Sequence, residues 1–223
     1  MVLEIVYENE QFILFNKPAG LSFHSEDGEG FVVLAQKQTG LKLYSVHRLD
    51  KMTSGLLMLA KSSEDAHIIT KLFENREIQK FYLAISTRKP KKKQGWVKGD
   101  MGPSRRGAYK LLETKDNQAI TQFISVALRP HERAFLLKPH TGKTHQIRVA
   151  LKSLGSPIAG DMRYAAVEDA KREERGYLHA YALKFTLKNK NFSFVCLPTH
   201  GERFLSTVCK GQLALYSKPW ELF

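Results

Sequence analysis

The segment His47-Arg48-Leu49-Asp50 places three ionisable side chains within four positions, and the turn-forming residues Thr53-Ser54-Gly55 follow it closely. A carboxylate held in such a loop can act as a nucleophile or as a general base, and loops on rigid scaffolds commonly carry catalytic groups. The alternative role is structural, because Asp50 can close an Asx-turn ahead of Thr53 and Ser54. Local chemistry by itself favours the structural role.

A second polar segment runs from Lys138 to Arg148. Its Gly142-Lys143-Thr144 is similar to the end of a phosphate-binding P-loop, but Leu137 stands where the first glycine belongs, so the pattern does not predict nucleotide binding. His140 and His145 lack a cluster of Cys or carboxylate residues at metal-ligand spacing. Three residues near the C-terminus are spaced equally loosely, namely Cys196, His200 and Cys209, so we predict no metal site.

The balance of charge points to a polyanionic partner. Lys and Arg number 35 against 22 Asp and Glu, which gives a net charge of +13 among 223 residues. A nucleic acid fits this charge better than an anionic membrane surface does. The span Arg88–Lys115 holds ten Lys or Arg and two acids, so it supplies +8 of the net charge.

Cysteine use and the N-terminus predict a soluble cytoplasmic protein. Cys196 and Cys209 form no disulfide framework, which fits a reducing compartment. The first twelve residues contain three glutamates, unlike the basic start and apolar middle of a signal peptide. The longest apolar stretches, such as Leu56–Ala60, are too short to cross a bilayer. A monomer is the default expectation.

Hydrophobic periodicity predicts the elements that position these segments. Strands are expected near residues 3–7, 12–15, 56–60, 81–85, 120–127, 133–138, 182–187 and 192–197. Helices are expected before Gly40, after Ser62 or Ser63, and before Gly155. The span 88–115 predicts a loop region or an irregular hairpin. Strands outnumber helices without regular alternation, so we predict one α+β domain over residues 1–223, with a mixed, mainly antiparallel sheet flanked by helices and loops.

Taken together, these segments resemble the RluA-type pseudouridine synthase family. The family's His-Arg-Leu-Asp followed by Thr-Ser-Gly appears as His47–Asp50 and Thr53–Gly55. Further motifs match at Asn16–Leu21, Lys80–Tyr82, Thr141–Arg148, Leu154–Asp161 and Leu178–Ala180, so the resemblance covers about residues 5–197. Lys143 stands where the family usually has Arg, and Ala150 where many members have His. Because the pattern begins almost at Met1, we expect no preceding RNA-binding domain.

The resemblance implies an RNA pseudouridine synthase that needs no cofactor and acts on structured RNA, either tRNA or rRNA. Asp50 would be the catalytic carboxylate, Tyr82 would stack on the target base, and Arg148 would favour the ionised form of Asp50 and fix its orientation. Arg48 would fill the place of the flipped base, and Leu178 would pack near that base. The motifs also assign RNA or substrate contacts to His47, Lys80, Lys143, His145 and Gln146.

Plainer roles remain open for several of these residues. Tyr82 and Leu178 can be ordinary core residues. Arg48 can be a plain surface cation, and Arg148 can be a phosphate contact on the surface of a helix. The basic span Arg88–Arg106, in which Trp96 is interleaved, would follow the RNA backbone if the resemblance holds, whereas a solvated loop is the alternative.

Two other functions also remain open. An RNA uridine methyltransferase would need a site for a methyl donor and an activated cysteine, and neither is recognisable in the sequence. A non-catalytic RNA-binding module would explain the charge, but it would not require Asp50, Tyr82 and Arg148 at the matched positions.

Overall fold

A computed structural model describes residues 1–25 and 28–223. The chain folds into two units, the first made of Met1–Gln79 and His179–Leu197 and the second of Lys80–Leu178 and Pro198–Phe223. Both units combine strands with helices, and nearly all strand pairs are antiparallel. The predicted α+β fold with a mixed, mainly antiparallel sheet is therefore confirmed, while the prediction of one domain stays a prediction.

The first unit contains six strands and two helices among its described residues. These are β1 (Glu4–Glu8), β2 (Phe12–Lys17), β3 (Tyr44–Ser45), β4 (Ser54–Ala60), β11 (Leu178–Leu187), β12 (Lys190–Val195), α1 (Phe31–Thr39) and α2 (Ser63–Glu74). The strands follow the order β1-β2-β4-β11-β12, and β3 pairs with the far end of β4. Every residue of β2 and β4 is buried, so both strands lie at the centre of this unit.

Glycine at position 55 is required by the parallel pairing of β4 with β11. Gly55 has φ +104°, and a Cβ there would lie 2.3 Å from the carbonyl oxygen of Ala180. A larger residue would push the two strands apart. The last residue of the Thr53-Ser54-Gly55 motif therefore sets the distance between the strand that follows Asp50 and its neighbour.

The helix α2 begins as the sequence predicts. The Ser62 hydroxyl accepts a hydrogen bond from the backbone N–H of Asp65 at 3.0 Å and donates to the Asp65 carboxylate at 2.7 Å. Lys188, in the turn between β11 and β12, also contacts that carboxylate, with its Nζ 3.0 Å from Asp65 Oδ1. Phe12, Met58, Ile69 and residues of β11 and β12 form the hydrophobic core beneath the helix.

The second unit contains six strands and four helices among its described residues. These are β5 (Gln79–Ser86), β6 (Gln94–Gly99), β7 (Met101–Pro103), β8 (Tyr109–Leu111), β9 (Ala119–Arg129), β10 (Glu132–Pro139), α3 (Gln146–Ser153), α4 (Val167–Ala170), α5 (Glu202–Leu205) and α6 (Thr207–Ala214). The main strands follow the antiparallel order β5-β10-β9-β6, and β7 pairs with β8. Phe81, Phe123, Phe135, Leu137 and Leu151 are among its fully buried core residues.

The prediction of a loop region or an irregular hairpin over 88–115 is wrong for residues 94–99. These residues form β6, which pairs with β9 over six positions. Gly95 and Gly99 hide the alternation in the sequence, and the strand is defined by its distant partner instead. Residues 101–111 fit the irregular hairpin, because β7 and β8 flank the short helical turn Arg105–Gly107.

No helix among residues 1–25 and 28–223 has both the length and the apolar character that a bilayer span requires.

Candidate active site

Asp50 lies in a turn that main-chain contacts hold in place. The carbonyl oxygen of Asp50 accepts a hydrogen bond from the Thr53 N–H at 3.0 Å, which closes the turn just before β4 begins. The neighbouring carbonyl of Lys51 accepts from the Gly20 N–H at 2.8 Å. Leu49 is buried, whereas Asp50 is only partly buried. The turn thus presents a carboxylate on a constrained backbone.

His47 anchors the segment before this turn. Its Nε2 accepts a hydrogen bond from the Met58 N–H at 3.0 Å, and its ring stacks on Phe73 at 4.5 Å between centroids. The ring therefore ties the loop to β4 and α2. Arg48 is exposed. The RNA contacts predicted for His47 and Arg48 stay predictions.

Lys17 supports the Asp50 turn in a way that the sequence did not indicate. Its side chain is completely buried. Its ammonium donates to the carbonyl oxygens of Pro18 at 2.8 Å, Leu21 at 2.7 Å and Lys51 at 3.4 Å. A buried ammonium is costly unless its donors are satisfied, so Lys17 rigidly connects the 18–21 loop to the residue after Asp50.

His179 fixes the start of β4. Its Nδ1 lies 2.8 Å from the Ser54 hydroxyl, and its Nε2 lies 2.8 Å from the carbonyl oxygen of Cys196. Since a carbonyl only accepts, Nε2 carries a proton, and a neutral ring can then accept at Nδ1 from Ser54. His179 is 1% exposed, so this contact positions the Thr53-Ser54-Gly55 motif from inside the unit.

Tyr82 and Lys80 lie in the second unit, on β5. Tyr82 is partly buried and is in register with Leu137 of β10. Lys80 is partly buried as well, and its ammonium lies 3.8 Å from the position that a Cβ on Gly142 would take. Lys80 therefore lies beside the Thr141–Arg148 motif.

Arg148 forms a buried ion pair with Asp161. Its Nε donates to Oδ2 and its Nη2 to Oδ1, both at 2.8 Å. The side chains of Arg148 and Asp161 are 8% and 0% exposed. Asp161 Oδ1 also accepts from the backbone N–H groups of Arg163 and Tyr164 at 3.0 and 3.2 Å. Four donors thus hold the carboxylate that orients the guanidinium.

Tyr164 connects this ion pair to His145. Its ring lies 5.0 Å from the Arg148 guanidinium carbon, and its hydroxyl lies 2.9 Å from His145 Nδ1. Burial raises the pKa of Tyr164, so the phenol stays protonated at neutral pH. The hydroxyl accepts from the Tyr109 N–H at 2.9 Å and can donate its proton to His145. His145 itself adopts a left-handed backbone, φ +57°, directly before α3.

Gln146 organises the turn that leads into α3. Its Oε1 accepts from the Thr141 hydroxyl at 2.6 Å and from the Lys143 N–H at 3.0 Å, while its Nε2 donates to Ile120 and Thr121 of β9. Gln146 is 5% exposed, so this network gives it a positioning role, and the predicted RNA contact stays a prediction. Lys143 Nζ donates to Asn117 Oδ1 at 2.8 Å.

The structure divides the predicted site residues between the two units. Asp50, His47 and Arg48 lie in the first unit, and the second holds Lys80, Tyr82, Lys143, His145, Gln146, Arg148 and Leu178. Leu178 is 3% exposed. Over the described ranges, no group of three or more His, Cys, Asp or Glu is arranged to hold a metal ion.

The comparisons with known proteins decide the family. A family profile described as RNA pseudouridylate synthase matches residues 11–153. A Haemophilus influenzae protein named "Uncharacterized RNA pseudouridine synthase" is 48% identical over 99% of both chains. This chain belongs to the RNA pseudouridine synthase family. The recognition from motifs is thereby confirmed, and the enzyme is an RNA pseudouridine synthase rather than a methyltransferase or a purely binding module.

Other relatives of this synthase carry more specific names. The tRNA pseudouridine synthase C of Pasteurella multocida is 32% identical over 83% of this chain and 86% of its own length. Among solved structures, human RNA Pseudouridylate Synthase Domain Containing 1 superposes with a TM-score of 0.77, covering 97% of this chain and 96% of that one. Its 22% identity means that it supports the fold alone.

Sequence reasoning missed three buried polar residues that hold predicted site residues or their motifs within their own unit, namely Lys17 and His179 in the first unit and Asp161 in the second. All three lie within motifs that match the family, in Asn16–Leu21, Leu154–Asp161 and Leu178–Ala180. An ionisable residue inside a mainly apolar or uncharged motif was the signal that could have identified them, because a buried polar group needs a defined partner.

Proposed function

We propose that this synthase isomerises a uridine in structured tRNA or rRNA, with Asp50 as the catalytic carboxylate. The observation that carries the proposal is the constrained turn at Asp50, whose backbone is tied to Thr53 while the adjacent Lys51 carbonyl is tied to Gly20 and Lys17. A carboxylate on a rigid backbone can be held in the reactive geometry without a further loss of entropy.

The reaction needs one reactive carboxylate. The bond between ring nitrogen 1 and sugar carbon 1′ breaks, the base turns, and carbon 5 bonds to carbon 1′. The hydrogen of carbon 5 leaves as a proton, and nitrogen 1 takes up a proton from water, so the product is an isomer of the substrate. Ionised Asp50 either attacks the sugar as a nucleophile or removes a sugar proton as a base. Both routes use the same ionised group, and neither consumes a cofactor.

Arg148 and Tyr82 support this chemistry in the proposal. Arg148 is a permanent cation, and two hydrogen bonds of 2.8 Å to Asp161 hold its guanidinium in one orientation. Arg148 favours the ionised form of Asp50, and Tyr82 stacks on the target base after it leaves the RNA helix. Arg48, which is exposed, fills the vacated place in the stack.

The carboxylate is tested with Asp50→Asn. Because the new bond at carbon 5 displaces its hydrogen, RNA that carries 5-tritiated uridine releases tritium into water as product forms. We expect tritium release by the wild type, none by Asp50→Asn, and equal RNA affinity for both. Asp116→Asn, which changes an exposed aspartate in the second unit, is the matched control. Activity retained in Asp50→Asn would exclude this catalytic role.

The basic segment 88–93 is proposed to contact RNA phosphates. Its backbone is anchored, since the Lys91 N–H donates to the Leu154 carbonyl at 2.9 Å and the Lys93 carbonyl accepts from Ser125. The side chains of Lys91, Lys92 and Lys93 are exposed. Arg88 instead pairs with Asp169 at 2.9 Å. An anchored backbone with exposed lysines is suited to contacts with successive phosphates of an RNA backbone.

Salt titration tests this segment. Replacing Lys91, Lys92 and Lys93 with Gln removes three charges, and each phosphate contact contributes about 0.7 to the slope of log affinity against log salt for single strands. We expect the slope to flatten by about 2. Gln at Lys71, Lys171 and Lys218, which pair with neighbouring glutamates, is the control. An unchanged slope would show that the segment is only a solvated surface.

The names of two relatives support tRNA or rRNA as the target in the proposal. One relative is named "tRNA pseudouridine synthase C". Another, from Rickettsia bellii, is named "Ribosomal large subunit pseudouridine synthase C", with 33% identity over 84% of this chain and 64% of that protein. Mapping pseudouridine in total RNA with the gene present, deleted and restored identifies the target. We expect the enzyme to act in the cytoplasm. We also expect a monomer, and light scattering of the purified protein can check its molar mass.

A further inference from the structure

An exposed tryptophan lies on β6, the last strand in the order β5-β10-β9-β6. Trp96 is 45% exposed and pairs with Gln122, which in turn pairs with Lys138, so these three side chains share one face of the sheet. Tyr82 is in register with Leu137 and therefore belongs to the opposite face. Trp96 is thus separate from the base-stacking position proposed for Tyr82.

Three side chains form what we call the Trp96 platform, namely Trp96, Lys98 and His140. The His140 ring lies 4.9 Å from the Trp96 ring at an interplanar angle of 31°, and Lys98 Nζ lies 4.7 Å from the Trp96 ring centre. His140 Nε2 is within 3.2 Å of Gln122 Oε1, which limits rotation of the imidazole. The indole is therefore held in place before any ligand arrives.

Fold stability explains only part of this arrangement. A cross-strand aromatic contact on a sheet surface contributes little, and Trp96 leaves much of its ring in water. One cation lies beside the ring, Lys98 of the same strand, and the exposed lysines at 91–93 directly precede β6 in the chain. An aromatic ring beside flexible cations is the pattern that binds a base together with its phosphate.

We propose that the Trp96 platform is a second RNA-contact site, which binds an unpaired nucleotide outside the target position. The base stacks on the indole, and Lys98 moves from the ring to the adjacent phosphate. This rests on the proposed function only in taking RNA as the substrate. Because the platform lies on the other face of the sheet from Tyr82, it contributes to affinity and not to the chemical step.

Tryptophan fluorescence tests the contact directly, because the chain has two tryptophans, Trp96 and Trp220. Trp220→Phe leaves Trp96 as the reporter. We expect oligouridylate and total tRNA to quench this fluorescence with saturation, and Asp50→Asn in the same background to show the same quenching. Without quenching by either RNA, the platform proposal is wrong.

Trp96→Ala then measures what the contact contributes. Loss of one stacked base is expected to raise the Kd for total tRNA, and the KM for tritium release, by about 5- to 20-fold, with little change in kcat. Trp96→Phe should restore most of the affinity because it retains an aromatic face. A purely structural role would instead lower the Tm and reduce active enzyme, with Kd unchanged in the folded fraction.

The outcomes separate the two proposals. Quenching without tritium release by the wild type would support the platform and refute the proposed function. Tritium release with equal KM for the wild type and Trp96→Ala would support the function and refute the platform. If Trp96→Ala changes the oligomeric state but not the Kd, the platform is a protein interface and the RNA proposal is refuted.

Discussion

Asp161→Asn is expected to destabilise the fold by removing the partner of a buried cation. Asn keeps the shape of the carboxylate, but it removes the charge and replaces one acceptor oxygen with an NH₂ donor. In the wild type Arg148 donates to two carboxylate oxygens, both at 2.8 Å. In the variant it faces one acceptor oxygen and one NH₂ donor. At least one of the four hydrogen bonds to this side chain is therefore lost, and the buried guanidinium loses the negative charge of Asp161.

The size of the expected loss of stability follows from the burial of the Arg148–Asp161 pair. Because Arg148 is 8% exposed and Asp161 is 0% exposed, solvent cannot replace the missing carboxylate, and breaking such a pair costs about 3–5 kcal/mol. Asp169→Asn provides the matched control, since its pair with Arg88 has the same length within 0.1 Å, 2.9 against 2.8 Å, but is half exposed. An exposed pair contributes about 0–1 kcal/mol.

Urea unfolding at neutral pH measures both variants. We expect Asp161→Asn to lose several times more stability than Asp169→Asn, and its tritium release to fall more than its RNA affinity because Arg148 loses its orientation. The double variant Arg148→Met with Asp161→Asn should recover part of the stability, since no unpaired buried charge remains, but no activity. Equal losses in the two single variants would refute this reasoning.

Three further predictions concern the first unit and the thiols. Gly55→Ala should lower the free energy of unfolding by more than the roughly 1–2 kcal/mol of positive-φ strain, because its Cβ would meet Ala180. Gly40→Ala is the control, since its Cβ would enter open space and should cost only that strain. Urea unfolding measures both variants. Burial raises the pKa of Cys196 to about 12 and of Cys209 to about 11, so a thiol reagent at about pH 8 should modify neither until the protein unfolds; rapid labelling of the native protein would contradict this. Although burial acts to raise the pKa of Asp65, hydrogen bonds from Ser62 and Lys188 lower it below 3.8. Its stabilising contribution should therefore be present at neutral pH and lost as pH falls through the lower folded value, so Asp65→Asn should destabilise at neutral pH but not in strong acid.

Short motifs indicate the function of this chain, because their residue types and order can be read from the sequence without knowledge of the fold. His47–Asp50, Thr53–Gly55 and Thr141–Arg148 identified the family because each combines residue types that chance rarely places in order. Local periodicity likewise predicted β2, β4, α2 and the β9–β10 hairpin, since contacts between near neighbours determine these elements. The family and the fold class could thus be predicted from the sequence.

The reasons for several motif residues became visible only in the folded chain. Ser54 meets His179 across 125 positions, Arg148 meets Asp161 across 13, and β6 exists because β9 pairs with it. Local propensity contains no information about such distant partners. Sequence alone therefore identified the candidate site residues of this synthase and the chemistry that their side chains can perform. The tertiary structure decided which of these residues are held by buried partners. Only folding brings a donor and an acceptor from distant segments together and removes both from water.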